Sequence, residues 1–424
     1  TVKPKEGFYR LEKKLGVAQA DLIFLNPILQ SIGLQEGMIL KIPLEQTGDL
    51  KIEDDLLVEK NDLRDSIPFN SKVTLGLLLP FNANKIEFDS IEKTKTLLKK
   101  RNLHTLALDF YSGVVMAVKE AGQLGIEVVL DVLDTQNDKA YLQAEFKNRD
   151  WSNTDVLIGP MIPSNFDILS LQDSLSLIPM VAPLSSNPVI SRPNVYQSVT
   201  SPELLREKMF TYLNTVLDST QNVLIITDTL NREVENQLHN RFPFAQILRP
   251  EAGGYVVPDL IDSLLVDTLS NKVVFESQNL GLIASVTSLL NSQVSKERDV
   301  QLFTTFRSNA YDDSNISKKQ LGNLKFSYTA GSYSDESNRS EEFDSLYVSS
   351  FGDLPKREAL RGYDVTMDVI LRFAHQKQLR TDSIGETEYI ESRFDYVPNL
   401  NAGYQNRAFY LLEHSGYEVF EIKK

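Results

Sequence analysis

The 424-residue chain has no cysteine, a single tryptophan and four histidines. Without cysteine there are no disulfides, no thiolate nucleophile and no thiolate metal ligand. His104, His239, His375 and His414 are dispersed and share no metal-ligand spacing, so no metal site is expected. A G-x-S-x-G elbow, a phosphate-binding P-loop and a G-x-G-x-x-G fingerprint are also missing. No histidine or lysine stands near Ser185-Ser186 to activate a hydroxyl, which leaves a triad assembled from distant segments as the route to an enzyme. The expectation is a protein with no catalytic residues and no cofactor. No apolar run is long enough for a transmembrane segment. Positive charge is scarce too: 44 Lys and Arg face 58 Asp and Glu, for a net charge of −14. That acidity is spread along the chain, which argues against nucleic acid as a partner. Because the first residue is Thr1, the lack of a leader carries no information about export.

What is present, at 42% apolar residues, suffices for two or three packed domains. Residues 154–200 show the organisation most clearly. Apolar strands at 155–158 and 179–183 flank a helix whose stripe is Phe166, Leu169, Leu171, Leu175 and Leu177. This is a βαβ unit, because parallel strands need a crossover of about this length, and ligands of open α/β sheets bind beyond the carboxyl ends of the strands. Gly159 to Ser164 and Leu184 to Asn187 lie at that edge.

Asp155-Val156-Leu157-Ile158-Gly159-Pro160, the run Ile178-Pro179-Met180-Val181-Ala182-Pro183-Leu184-Ser185-Ser186-Asn187-Pro188, and Pro193-Asn194-Val195-Tyr196-Gln197 resemble the type I periplasmic-binding-protein fold of bacterial amino-acid receptors. The resemblance implies an α/β architecture with two doubly wound parallel sheets in two lobes. It places a ligand cleft at Ser164, Asn165, Ser185, Ser186 and Asn187 in the first lobe. In such receptors the second lobe adds an acid and aromatic rings for the ligand's ammonium group. The matching edges here are Thr227-Asp228-Thr229, Ser277-Gln278-Asn279 and Thr305-Phe306-Arg307. They carry a cation where an acid is expected, and Asp228 alone could complete the ammonium site. An ammonium desolvated without its counter-charge costs several kcal/mol, so tight binding of a free amino acid is not expected.

The rest of the chain extends the pattern. Strand 73–79 opens the main domain, followed by an insertion at 83–108 whose Lys93, Lys95, Lys99, Lys100 and Arg101 read as a solvated face. A helix at 109–124 precedes strand 126–133, whose Asp134-Thr135-Gln136-Asn137 ending again resembles the receptors and is read as turn capping. Ser201-Pro202-Glu203 is a helix start that opens the second lobe. The first lobe is expected to cover 72–196 plus a return segment near 305–335, with the rest in the second lobe. In 355–374 the motif Ala359-Leu360-Arg361-Gly362-Tyr363-Asp364-Val365 resembles the receptors once more, and Arg361, Asp364, Asp368 and Arg372 are spaced as an ion-pair ladder. Residues 408–412 and 419–422 read as a closing hairpin.

Ahead of the main domain, residues 1–44 show a small strand-helix-helix-strand pattern, with Phe8, Leu11 and Leu15 on one stripe and Leu22 and Leu25 on another. Leu15-Gly16-Val17, Leu25-Asn26-Pro27 and Gly37-Met38-Ile39-Leu40-Lys41-Ile42-Pro43 resemble a LysM module. That implies binding of the N-acetylglucosamine chains of peptidoglycan through Glu6, Gly7, Phe8, Asn26, Pro27 and Ile28. Lys5-Glu6-Gly7-Phe8 stands where the family usually has Gly-Asp-Thr-Leu, so the loop hydroxyl is missing and the binding expected is weak. Residues 45–71 hold eight acidic and three basic side chains and read as a mobile acidic linker, the expected first site of limited proteolysis.

A LysM-like module joined to a receptor-type fold implies a bacterial periplasmic protein, with outer-membrane association an open expectation. The first functional reading is a non-catalytic, peptidoglycan-associated adaptor or regulator that binds an envelope protein partner, similar to the peptidoglycan-synthase activator family or to an accessory of outer-membrane secretion or transport machinery. The alternatives are a solute receptor for an amino acid or related molecule, and a wall hydrolase.

Overall fold

The structure, a computed structural model, describes residues 8, 11–12, 17–26, 29, 33, 40, 62–68, 70–251, 253–333, 341–379, 385–399 and 402–422. The chain divides into two compact units, 1–59 and 60–423. In the first, helix α1 (Gln19–Leu25) buries Leu22, and Leu11, Val17 and Leu29 are buried as well. Phe8 is helical and half-buried. Asn26 is buried, its Nδ2 donating to the carbonyl of Leu22 at 2.8 Å, so this side chain closes the end of α1. Glu6, Gly7, Pro27 and Ile28, and nearly all of the expected strand at 38–42, lie outside the described residues.

The second unit is built on two seven-stranded sheets. The first lobe begins with β1 (Lys72–Leu79), β2 (Glu127–Asp134), β3 (Val156–Ile158), β4 (Met180–Ala182) and β5 (Val195–Gln197), all parallel. Leu75, Leu77, Leu78 and Leu79 of β1 are fully buried, as a strand covered by helices on both faces requires. The second lobe follows with β6 (Asn222–Thr227), β7 (Gln246–Leu248), β8 (Asn271–Glu276), β9 (Val300–Phe303) and β10 (Ser327–Ala330). After the hairpin β11 (Thr387–Glu388) and β12 (Arg393–Phe394), the chain adds β13 (Tyr396–Pro398) and β14 (Tyr404–Asn406) to the first sheet. It then returns as β15 (Tyr410–Ser415) and β16 (Glu418–Glu421) to close the second. The strand orders, 13-14-5-4-3-1-2 and 16-15-10-9-8-6-7, repeat one winding in both lobes.

Five further helices matter for function: α2 (Ile91–Lys99), α3 (Leu103–Gln123), α4 (Pro163–Ser170), α5 (Pro202–Val216) and α6 (Arg357–Gln376). α3 and α6 pack against each other at backbone distance. A Cβ on Gly113 would lie 1.8 Å from the carbonyl oxygen of Ala359, and one on Gly362 would lie 2.1 Å from that of Phe110. Only glycine admits this reciprocal approach.

Three expectations need correction. The return to the first lobe is not near 305–335. β10 pairs with β9 and β15 in the second sheet, and the first lobe is completed by α6, β13 and β14. The acidic linker does not extend to residue 71 as a free tether, because Leu63 is buried in the first-lobe core, Ile67 packs beside it, and the Leu63 carbonyl lies 2.9 Å from His375 Nε2. The charges of α6 form no surface ladder, since every residue from Glu358 to Ala374 is buried. Within that set Asp368 and Arg372 pair at 2.9 Å, whereas Arg361 and Asp364 bond to loops. Both faces of α6 are covered, and in a dry core each charge must find its own partner.

Candidate functional site

The chain passes between the lobes at 198–201, after Ala330 and at 407–409. These crossings are tied together: Thr200 Oγ1 donates to the carbonyl of Ala408 at 2.6 Å, and Asn406 Nδ2 to that of Ser198 at 3.0 Å. Between the lobes lies a cleft of about 750 Å³. Arg101, Ser186, Arg357, Glu358 and Arg361 line it from the first lobe, and Gln278, Phe306, Arg307 and Ser308 from the second. A contiguous depression of about 590 Å³ shares Arg307 and Arg357 and reaches Tyr328.

The residues expected to face a ligand are dispersed. Ser186 lines the cleft. Ser185 Oγ instead accepts from the backbone N–H of Asn187 at 3.1 Å, closing the β4 edge turn. Asn187 is exposed. Ser164 is exposed in the first turn of α4, and Asn165 is buried, its Nδ2 donating to Asn137 Oδ1 at 3.0 Å to join two edge loops. Asp134 receives the backbone N–H groups of Asn82, Ala83 and Gln136, a capping arrangement.

Asp228 sits elsewhere, in a separate depression of about 260 Å³ beside Glu235 and Arg249. Its oxygens accept from Leu230 N–H at 3.0 Å, Asn231 Nδ2 at 2.8 Å and Ser277 Oγ at 2.6 Å. The side chain is therefore committed to its own loop and to Ser277 on the loop after β8.

The electrostatics of the cleft come from Arg307, on an expected second-lobe edge, and from Arg361 and Glu358 of α6, of which the sequence spacing assigns Arg361 to an ion-pair ladder. Arg361 is buried and donates to Pro183 O, Ser392 Oγ and Ser198 Oγ. Glu358, also buried, pairs with Arg101 at 2.5 Å. On the opposite wall Arg307 pairs with Asp312 and lies 5.0 Å from the Tyr328 ring centroid. Burial pushes Glu276, at the end of β8, up to about 7, although Thr304 and Thr305 donate to it. The sequence places Arg307 at a cleft edge, whereas the helical spacing of Arg361 gives no sign that it would face the cleft. Among the described residues no group of three His, Asp or Glu could hold a metal ion. No described helix is long and apolar enough to cross a membrane.

Two doubly wound sheets with matched winding, three crossings and a cleft between the strand ends define the bilobed type I periplasmic-binding-protein fold. No protein-family model and no curated protein matches the chain. Among solved structures it aligns with a Rhodospirillum rubrum protein assigned as a branched-chain amino acid ABC transporter, at 13% identity and a TM-score of 0.54, over 83% of this chain and 100% of that one. It also aligns with full-length LpoA from Haemophilus influenzae, at 15% identity and a TM-score of 0.51, over 84% of this chain and 60% of that one. At these identities the likeness is one of fold.

Proposed function

We propose that the protein is a non-catalytic component of the bacterial envelope, resident in the periplasm, whose bilobed domain serves a protein partner in cell-wall synthesis or outer-membrane transport. The observation that carries this reading is the state of Asp228. Asp228, the acid of the matched second-lobe edges, is bonded to its own loop and to Ser277 beyond β8, and it lies outside the cleft. The cleft walls meanwhile present Arg307, Arg357 and Arg361. The acids that line the cleft, Glu358 and Glu391, both stand on the first-lobe side, and Glu358 is already paired with Arg101. The closing second lobe therefore brings Arg307 and no carboxylate to a zwitterion's ammonium, which weakens the closure that an amino-acid receptor depends on. LpoA shares the fold, the partner proposed is of the peptidoglycan-synthase class that the sequence resemblance implies, and the LysM-like pattern of residues 1–44 would supply attachment to peptidoglycan.

A screen of the twenty amino acids by calorimetry tests the central claim, with no micromolar binding expected. Tight binding that Ser186→Ala abolishes would move the protein to the receptor class, a reading favoured by the full-length match to the Rhodospirillum rubrum structure. For the first unit the expected outcome is weak co-sedimentation of the full chain with purified sacculi. Asn26→Ala is a poor probe of glycan contact alone, because Asn26 also closes α1.

A further inference from the structure

The wall of the interlobe cleft contains a buried guanidinium with no carboxylate partner. Arg361 is 9% exposed and gives Nε to the carbonyl of Pro183 at 3.0 Å, Nη1 to Ser392 Oγ at 2.9 Å and Nη2 to Ser198 Oγ at 2.8 Å. All three acceptors are neutral. A guanidinium has five N–H donors, so two remain without an acceptor among the described residues; no ion pair within 4 Å meets the charge there, although the Phe394 ring lies 5.1 Å from it and Asp364 and Asp368 act on it from further off. The acid one turn further along, Asp364, is engaged by the N–H groups of Ile390 and Glu391 at 3.0 and 2.9 Å. Burying an unpaired cation costs several kcal/mol, and the planar fork of arginine matches the oxygens of carboxylate and phosphate groups.

The surroundings extend this polarity. Arg357, one turn earlier on α6, is exposed, makes one 3.4 Å bond to Ser332 Oγ and has no ion pair among the described residues. The α6 N-terminus itself has no side-chain cap, so its partial positive charge adds to both arginines. Across the cleft, Arg307 Nε and Ser308 Oγ are buried without partners. One further atom selects among anions. Glu358, 5% exposed, receives Arg101 on Oε1, while its Oε2 is buried with no partner, an acceptor open to a hydroxyl donor.

We propose that the cleft holds a small hydroxylated anion, its carboxylate or phosphate oxygens on Arg361 and Arg357 and a hydroxyl donating to Glu358. This rests on the reading of the bilobed domain as something other than an amino-acid receptor, and it assigns that domain an effector that a partner could sense.

The test is the melting temperature of the full chain with millimolar gluconate, glycerol phosphate or leucine, each against sodium chloride of equal ionic strength. Gluconate, glycerol phosphate or both should raise it, and which of the two does so separates a carboxylate from a phosphate ligand. Arg357→Gln, an exposed position whose loss leaves the core intact, should weaken the stabilising anion about tenfold to a hundredfold, and Arg361→Gln should abolish its effect. If Arg361→Gln does not fold, Arg357→Gln and Ser186→Ala decide. The proposal is overturned if neither anion exceeds the chloride control, or if Arg357→Gln leaves the stabilisation unchanged. A shift with leucine would instead remove the adaptor reading, whatever the anions do.

Discussion

Helices α2 and α6 both carry charges at helical spacing, and they use them in opposite ways. α2 buries no residue, and Lys93, Lys95 and Lys99 are exposed, with Lys93 reaching Glu87 at 2.6 Å. In α6 the charges at 358, 361, 364, 368 and 372 are all buried. Water screens the first set, so each surface pair there contributes at most about 1 kcal/mol. The second set has no water to fall back on, and each group is held by a specific loop. Asp364 fixes the N–H groups of residues 390 and 391, and Arg372 binds Asp368, Thr387 Oγ1 and the carbonyl of Phe394. Charge on α6 thus organises the β11–β12 hairpin and, through Arg361, one wall of the cleft.

Several substitutions would break or sharpen that contrast. The largest effect belongs to Asp368→Ala, which removes the buried carboxylate that accepts from Arg372 Nε and from the Thr387 hydroxyl. We expect a loss of about 3–5 kcal/mol in chemical denaturation, and a loss within surface-pair range would refute the claim that the pair is dry. Next comes Gly113→Ala, where the new methyl meets the Ala359 carbonyl and α3 must move away from α6. A cost of about 1–3 kcal/mol or more is expected, read from the denaturation midpoint. An unchanged midpoint would show that the helices pack less closely than the structure places them.

A pH slope follows. Burial raises Asp364 from 3.8 to about 7, so the folded state binds a proton more readily than the unfolded chain. Its contribution is fully present below the unfolded value and is lost as pH rises through the folded one, so stability attributable to Asp364 should fall between about pH 4 and 7, by at most about 1.4 kcal/mol per pH unit. Glu276, raised to about 7, acts with the same sign. His414 has the opposite one: burial, with Arg307 nearby, lowers it to about 4, so its contribution grows as pH rises from 4 to 6.5. Comparing the slope of the wild type with that of Asp364→Asn isolates the first group, and equal slopes would exclude it. The smallest effect is that of Lys95→Ala with Lys99→Ala on α2. Stability should stay within about 0.5 kcal/mol, and a larger loss would mean that α2 is not a solvated face.

The class of fold was legible in the chain because its signals are local. Apolar runs such as Val73–Leu79 and Val223–Thr227, each followed by a turn, specify buried parallel strands from their immediate neighbours. The Ser201-Pro202 helix start is equally local, and Ser201 Oγ does accept the N–H of Leu204. What tertiary structure decided was the fate of polar side chains and the order in which the lobes are revisited. Nothing near Asp228 in sequence announces that Ser277, 49 residues on, will donate to it. Nothing near Arg361 announces Pro183 and Ser198 as its acceptors. A hydrophobic pattern reports how much of a residue is buried, whereas a buried charge depends on groups brought to it from distant segments. The framework of this protein therefore follows from its sequence, and the polarity of its cleft follows from how α6 is buried against the loops around it.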